Sequence, residues 1–114
     1  MKTYKILKEF RTQHKNPIIL NVGEKVNLGE EEKEEKWKGW IWAESKTNKG
    51  WIPIQIIKIS DDKKTAIVLE FYSAKEMDID KDDLIKKIKS LNGWTWSRNL
   101  KTGNEGWIPD DIIE

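Results

Sequence analysis

Gly39-Trp40-Ile41-Trp42, followed by Gly50-Trp51-Ile52-Pro53, returns further along the chain as Gly93-Trp94-Thr95-Trp96 and Gly106-Trp107-Ile108-Pro109. The first tetrapeptide recurs at an offset of 54 and the second at 56, and Ile56-Ile57 recurs as Ile112-Ile113, again at 56. The second copy therefore carries two extra residues between its tetrapeptides. They fall within Asn99-Leu100-Lys101-Thr102-Gly103-Asn104-Glu105, a run of turn formers whose shorter counterpart is Ser45-Lys46-Thr47-Asn48-Lys49. Hairpin loops tolerate such insertions and strand interiors rarely do. Each copy thus reads as strand, turn, strand, with the aromatic residues on the strands. A repeat of this period settles the architecture before any single segment does.

Working outward, the repeat accounts for six of the seven Trp in the 114 residues, with Trp37 the exception. The seam between copies falls in the polar stretch 60–64, so the expected domains are 1–59 and 65–114. Residues 1–59 carry 12 Lys+Arg and 8 Asp+Glu, and 60–114 carry 9 and 12, or +4 and −3. Opposite signs favour docking of the two domains in a monomer, although exposed charges contribute little and are screened. The whole chain is at +1, which lacks the basic excess that displaces counterions from nucleic acid. With no Cys there is neither a disulfide framework nor a thiolate site. No apolar run is long enough to span a membrane, and Met1-Lys2-Thr3-Tyr4-Lys5 leads into no secretory h-region, so the expected location is cytoplasmic.

Strand signals dominate elsewhere. Lys25-Val26-Asn27-Leu28 alternates, and Ile67-Val68-Leu69 is a short apolar run bounded by polar residues. Residues 80–91 present a rival reading: Leu84, Ile85, Ile88 and Leu91 have helical spacing, with acids ahead and lysines behind. The matching stretch Gly23-Glu24-Lys25-Val26-Asn27-Leu28 reads as turn then strand, and the repeat favours a strand in both copies. The expected fold is all-β, two small five-stranded antiparallel barrels in tandem.

On these residues both halves resemble the SH3 domain. The second half ends as that family does: Trp94 opens a strand, a hairpin follows around Leu100-Lys101-Thr102-Gly103, and Gly106-Trp107-Ile108-Pro109 leads into Asp110-Asp111-Ile112-Ile113. Ile6-Leu7-Lys8-Glu9-Phe10 is similar to the family's opening Ala-Leu-Tyr-Asp-Tyr, and Val68-Leu69-Glu70-Phe71-Tyr72 takes that place in the second half. Pro17-Ile18-Ile19-Leu20-Asn21-Val22-Gly23-Glu24 and Glu76-Met77-Asp78-Ile79-Asp80-Lys81-Asp82-Asp83 resemble the end of the RT loop and the diverging turn. The wording Gly-Trp-x-Trp and Gly-Trp-Ile-Pro looks most like the prokaryotic variant SH3 group.

The resemblance implies a non-catalytic protein- or peptide-binding module. Its grooves of aromatic residues accept a preformed polyproline II segment at little ordering cost. Carried over, one groove comprises Phe10, Trp40, Trp51 and Pro53, and the other Tyr72, Trp94, Trp107 and Pro109, with Trp40 and Trp94 as hot spots. Alternation puts Trp40 with Trp42, Trp51 with Pro53, Trp94 with Trp96, and Trp107 with Pro109 on outward faces, with Ile41, Ala43, Ile52 and Ile108 inward. Departures are plain. The family's first Tyr is Lys8 or Glu70, its 3-10 Tyr is Ile56 or Ile112, and Arg11–Asn16 has no acid to hold a ligand Arg. Acids cluster instead in Glu30-Glu31-Glu32-Lys33-Glu34-Glu35, which lacks the interleaved Gly of a calcium loop and reads as solvated.

The Trp faces can equally serve to pack one barrel against the other, above all at Trp42 and Trp96. The +4 half keeps open a nucleic-acid-binding SH3-like barrel, which the acidic half opposes. A cell-wall-binding SH3-like module is a third binding class. A lone His14 and no activated nucleophile leave no catalytic constellation, and no metal or cofactor is expected.

Overall fold

The structure, a computed structural model, describes residues 2–114. In chain order the strands are β1 (Tyr4–Lys5), β2 (Ile19–Leu20), β3 (Lys25–Glu31), β4 (Trp40–Glu44), β5 (Lys49–Pro53), β6 (Ile57–Ile59), β7 (Thr65–Val68), β8 (Tyr72–Ser73), β9 (Leu84–Leu91), β10 (Trp94–Asn99) and β11 (Glu105–Pro109). Single 3-10 turns lie at Glu35–Trp37, Ile54–Ile56 and Asp110–Ile112. The fold is all-β with antiparallel sheets, and there is no α-helix among the described residues. The segment with rival readings is a strand: β9 pairs with β10 along its length, so sheet pairing overrides the helical spacing of Leu84, Ile85, Ile88 and Leu91.

Two compact units result, and their division departs from the sequential one at 60–64. One unit is the continuous stretch 16–74, and the other joins the residues up to Lys15 with Lys75–Glu114. The physical reason is the turn at Ser60–Lys64. It is a tight hairpin rather than a linker: Ser60 N–H donates to Thr65 O at 2.9 Å, and Lys63 takes a left-handed φ of 62°. The Asp62 carboxylate accepts from the Ser60 hydroxyl (2.6 Å) and the Lys64 N–H (2.9 Å), which hold its pKa below the ordinary value. β7 therefore folds straight back onto β6. Counted over these units, 16–74 carries 9 Lys+Arg and 10 Asp+Glu and the remainder 12 and 10, so the contrast of +4 and −3 shrinks to −1 and +2.

The unit 16–74 has a sheet in the order β5-β4-β3-β7-β6 and the pair β2-β8. The β4–β5 hairpin turns on Ser45, whose N–H donates to Asn48 O at 2.8 Å and whose hydroxyl accepts from the Asn48 N–H at 3.1 Å. Ile18, Leu20, Val26, Ile41, Ala43, Ile52 and Val68 are buried, as alternation along β4 and β5 requires.

The other unit has the order β1-β9-β10-β11. Asn92 (φ 48°) and Gly93 (φ 92°) make the tight β9–β10 turn, the Asn-Gly signal of a hairpin. The longer second loop absorbs the two-residue insertion between β10 and β11, closed by the Asn99 N–H donating to Asn104 O at 2.8 Å. Ile6, Met77, Ile79, Ile85, Ile108, Ile112 and Ile113 form the core, with Tyr4 and Phe10 packed against it.

The two units are built alike, residue for residue. Ile6 faces Ile113 as Val68 faces Ile57, Tyr4 faces Ile85 as Ala66 faces Val26, and Phe10 faces Ile79 as Tyr72 faces Leu20. The opening strand of each unit thus comes from the other copy of the repeat.

Candidate functional site

Because the opening strands are exchanged, the aromatic sets regroup. Phe10 belongs with Trp94, Trp107 and Pro109, and Tyr72 with Trp40, Trp51 and Pro53. This corrects the expected partnership of Phe10 with Trp40 and of Tyr72 with Trp94. Phe10 is carried beside Trp94 by its bridge to Ile79, and the two rings meet edge to face with centroids 5.9 Å apart.

Register then stacks two cross-strand pairs in each unit. Trp94 lies opposite Pro109 and Trp96 opposite Trp107; Trp40 lies opposite Pro53 and Trp42 opposite Trp51. Residues directly opposite share a face and touch. Trp96 and Trp107 meet edge to face at 5.6 Å and 80°, and Trp42 and Trp51 at 5.5 Å and 79°. Trp42 also stands over Gly29, where a Cβ would lie 3.0 Å from its ring. Trp42 and Trp96 each have a ring partner within their own unit.

Exposure separates the two sets. In the first, Phe10, Trp94 and Pro109 are half-buried, leaving one aromatic-and-proline surface open to solvent, while Trp107 is only 6% exposed. In the second, Trp40 (8%), Tyr72 (5%) and Pro53 are buried, and Trp51 alone is open at 40%. The expectation that the Trp of both copies point outward fails for Trp40 and Trp107. Alternation fixes which face a side chain takes, not what lies over that face.

At Trp107 the outer edge of β11 is paired. Its N–H donates to Lys75 O (2.9 Å), and its carbonyl accepts from Met77 N–H (3.1 Å), so 75–77 runs along the free edge of β11. Among the described residues no such bridge joins Trp51 to another strand segment. Gly106 is what lets that segment approach: a Cβ there would lie 2.8 Å from the Met77 Cβ and 2.9 Å from its backbone N.

Polar groups pin the Trp94 surface from behind. Thr95, buried between Trp94 and Trp96, donates its hydroxyl to Asp110 at 2.6 Å and lies 2.8 Å from the Ser90 hydroxyl. Glu105 accepts from the Trp96 indole N–H (3.1 Å) and from Arg98 Nε (2.6 Å), and these two donors hold its carboxyl below the usual range.

Acids absent from Arg11–Asn16 enter this unit from the second copy, as Glu76, Asp78 and Asp80. They are already engaged. Arg11 pairs with Asp80 and donates to Ile79 O at 2.8 Å, Thr12 N–H donates to Asp78 (2.8 Å), and the Thr12 hydroxyl donates to Glu76 (2.9 Å). A polar recess of about 250 Å³ adjoins them, walled by Arg11, Asp78, Asp80, Asp83, Asn99 and Lys101. Partial burial pushes the Asp83 carboxyl up, but the Asp80 N–H, Lys101 and Asn99 outweigh it and leave its pKa low. The low pKa keeps Asp83 ionised, the opposite of a general acid. Among the described residues no group of three or more His, Cys, Asp or Glu is placed to hold a metal ion, and no helix is long and apolar enough to cross a membrane.

The antiparallel sheets, the hairpin into Gly-Trp-Ile-Pro and the following 3-10 turn define an SH3-like fold, a class whose domains are generally non-catalytic binding modules. The chain belongs to the variant SH3 family: the family model described as "Variant SH3 domain" matches residues 3–60, half of the chain. No curated protein and no solved structure matches it.

Proposed function

We propose that the chain is a non-catalytic module that docks an extended protein or peptide segment, including a proline-rich one, across Phe10, Trp94 and Pro109, with Trp107 as the floor. Trp40, Trp51, Pro53 and Tyr72 form the second, more occluded groove. One observation carries the reading: the edge-to-face pair of Phe10 and Trp94 stays half-open beside Pro109, where packing would otherwise have closed it. Half-exposed aromatic surface of this kind marks an interaction site, and a Trp at its centre dominates the binding energy. A polyproline II segment suits it because its rings stack on the aromatic faces while Trp indole N–H groups donate to its carbonyls.

Amide-shift titration of the full chain with a proline-rich peptide, an oligonucleotide and a peptidoglycan fragment separates the binding classes. Shifts at Phe10, Trp94 and Pro109 neighbours with the peptide are expected, and Trp94→Ala should weaken that binding at least about tenfold, as hot-spot truncations do. Unchanged affinity in both Trp94→Ala and Trp40→Ala, or shifts only with the other two ligands, sinks the proposal.

A further inference from the structure

We propose that the two opening strands, residues 4–10 and 66–72, are exchangeable. The chain interconverts between the nested pairing described above and a sequential pairing in which each copy closes on its own strand.

The argument rests on equivalence of the slots. Ile6, Tyr4 and Phe10 take the same partners in one unit as Val68, Ala66 and Tyr72 take in the other. Each slot receives a fully buried aliphatic residue (Ile6 0%, Val68 1%) followed four positions later by an aromatic one. The main-chain ladder is indifferent to which strand supplies it. Independently, the family match at 3–60 runs unbroken across the division between Lys15 and Asn16. One stretch of sequence thus reads as one domain, while the structure deals its strands to two units.

What holds the nested form is local and mostly exposed. Arg11 to Asp80, Thr12 to Asp78 and Thr12 to Glu76 tie the first segment to the second copy, and the Ser60–Asp62 turn ties β7 to β6. Passing to the sequential form breaks these bonds, straightens 60–64 and exchanges Ile6 for Val68, Phe10 for Tyr72 and Tyr4 for the smaller, buried Ala66. Exposed pairs of this kind contribute little each, which leaves the sequential pairing as a minor state beside the nested one.

The chain has no Cys, so engineered thiols report without competitors. Lys5 lies opposite Leu84 in the nested form. By the equivalence of Lys5 with Ile67, which faces Lys25, it would lie opposite Lys25 in the sequential form. All three positions are exposed, and directly paired antiparallel residues stand about 4.5–5.5 Å apart at Cα, within disulfide reach. In the full chain, Lys5→Cys/Leu84→Cys should close quickly within the monomer. Lys5→Cys/Lys25→Cys should close more slowly, also within the monomer, with a larger closed share straight after refolding from denaturant. Adding Arg11→Ala should speed that second closure by about 1.4- to 5-fold, the loss of one exposed ion pair. Far-UV and tryptophan spectra of the reduced variants verify that both are folded. If the Lys5/Lys25 pair stays reduced after refolding while the Lys5/Leu84 pair closes, or links only between copies, the exchange is overturned.

Discussion

Gly50 and Gly106 occupy the same position in the two copies of Gly-Trp-Ile-Pro, yet their surroundings predict opposite responses to a methyl group. At Gly106 an added Cβ would sit 2.8 Å from the Met77 Cβ, 2.9 Å from its backbone N and 3.1 Å from the Glu76 carbonyl carbon. Two of those three atoms belong to backbone, and Met77 is itself buried at 3%, so nothing nearby yields cheaply. Gly106→Ala must push the 75–77 segment off β11 or strain both, a cost of about 1–3 kcal/mol for overpacking. At Gly50 the nearest atom is Ile18 Cγ2 at 3.5 Å, an ordinary contact. Gly50→Ala should be neutral, or more stable by about 0.4–1 kcal/mol through a stiffer unfolded chain. Thermal unfolding followed by tryptophan fluorescence separates them, since each kcal/mol moves the midpoint of a domain this small by about 4–8 °C. The Met77 and Trp107 amides should lose exchange protection in Gly106→Ala alone. Equal midpoints for the two variants, or protection unchanged at Trp107, would show that 75–77 does not lie against β11.

Residues 16–74 expressed alone should give a dispersed amide spectrum, because that stretch contains every strand of its unit; a collapsed spectrum would refute the division. Thr95→Val should destabilise by about 1 kcal/mol, the usual net worth of a lost hydrogen bond, measured in urea. Glu105, held below its ordinary value of 4.5, contributes stability that is present above that value and lost as pH falls through its lower folded pKa. Glu105→Gln should therefore be less stable than the parent chain at neutrality and converge with it as the pH falls below about 4.5, and an unaltered acid limb would count against the assignment.

Much of the fold was readable in the residues. The repeat located the strands, the offset change located the longer hairpin, and alternation put Ile41, Ala43, Ile52 and Ile108 inside, where they are. The same logic underwrote a strand at 84–91 against its helical spacing. What the pattern could not convey was which strand serves which unit. Ile6-Leu7-Lys8-Glu9-Phe10 and Val68-Leu69-Glu70-Phe71-Tyr72 are each competent for either slot. Ser60-Asp61-Asp62-Lys63-Lys64 has the composition of a linker and of a hairpin turn alike. The edge pairing at Trp107 was equally hidden, for it needs a segment 30 positions upstream to reach β11. Only Gly106 hinted at that approach.

The nested connectivity has a consequence for a chain made from one end. As synthesis proceeds, residues 4–10 emerge first, and the only slot they can enter while 16–60 follows is the sequential one. Their nested partners, β9 and Ile113, arrive last. At about 5–20 residues per second, β7 follows residue 60 within about a second or two, whereas the nested slot on β9 and Ile113 is complete only on the order of 3–10 seconds after residue 60. β7 must then displace it from β6 and β3. The ribosome thus offers one pairing first and the finished chain settles into another, and trapping the Lys5→Cys/Lys25→Cys disulfide on stalled nascent chains would time the handover.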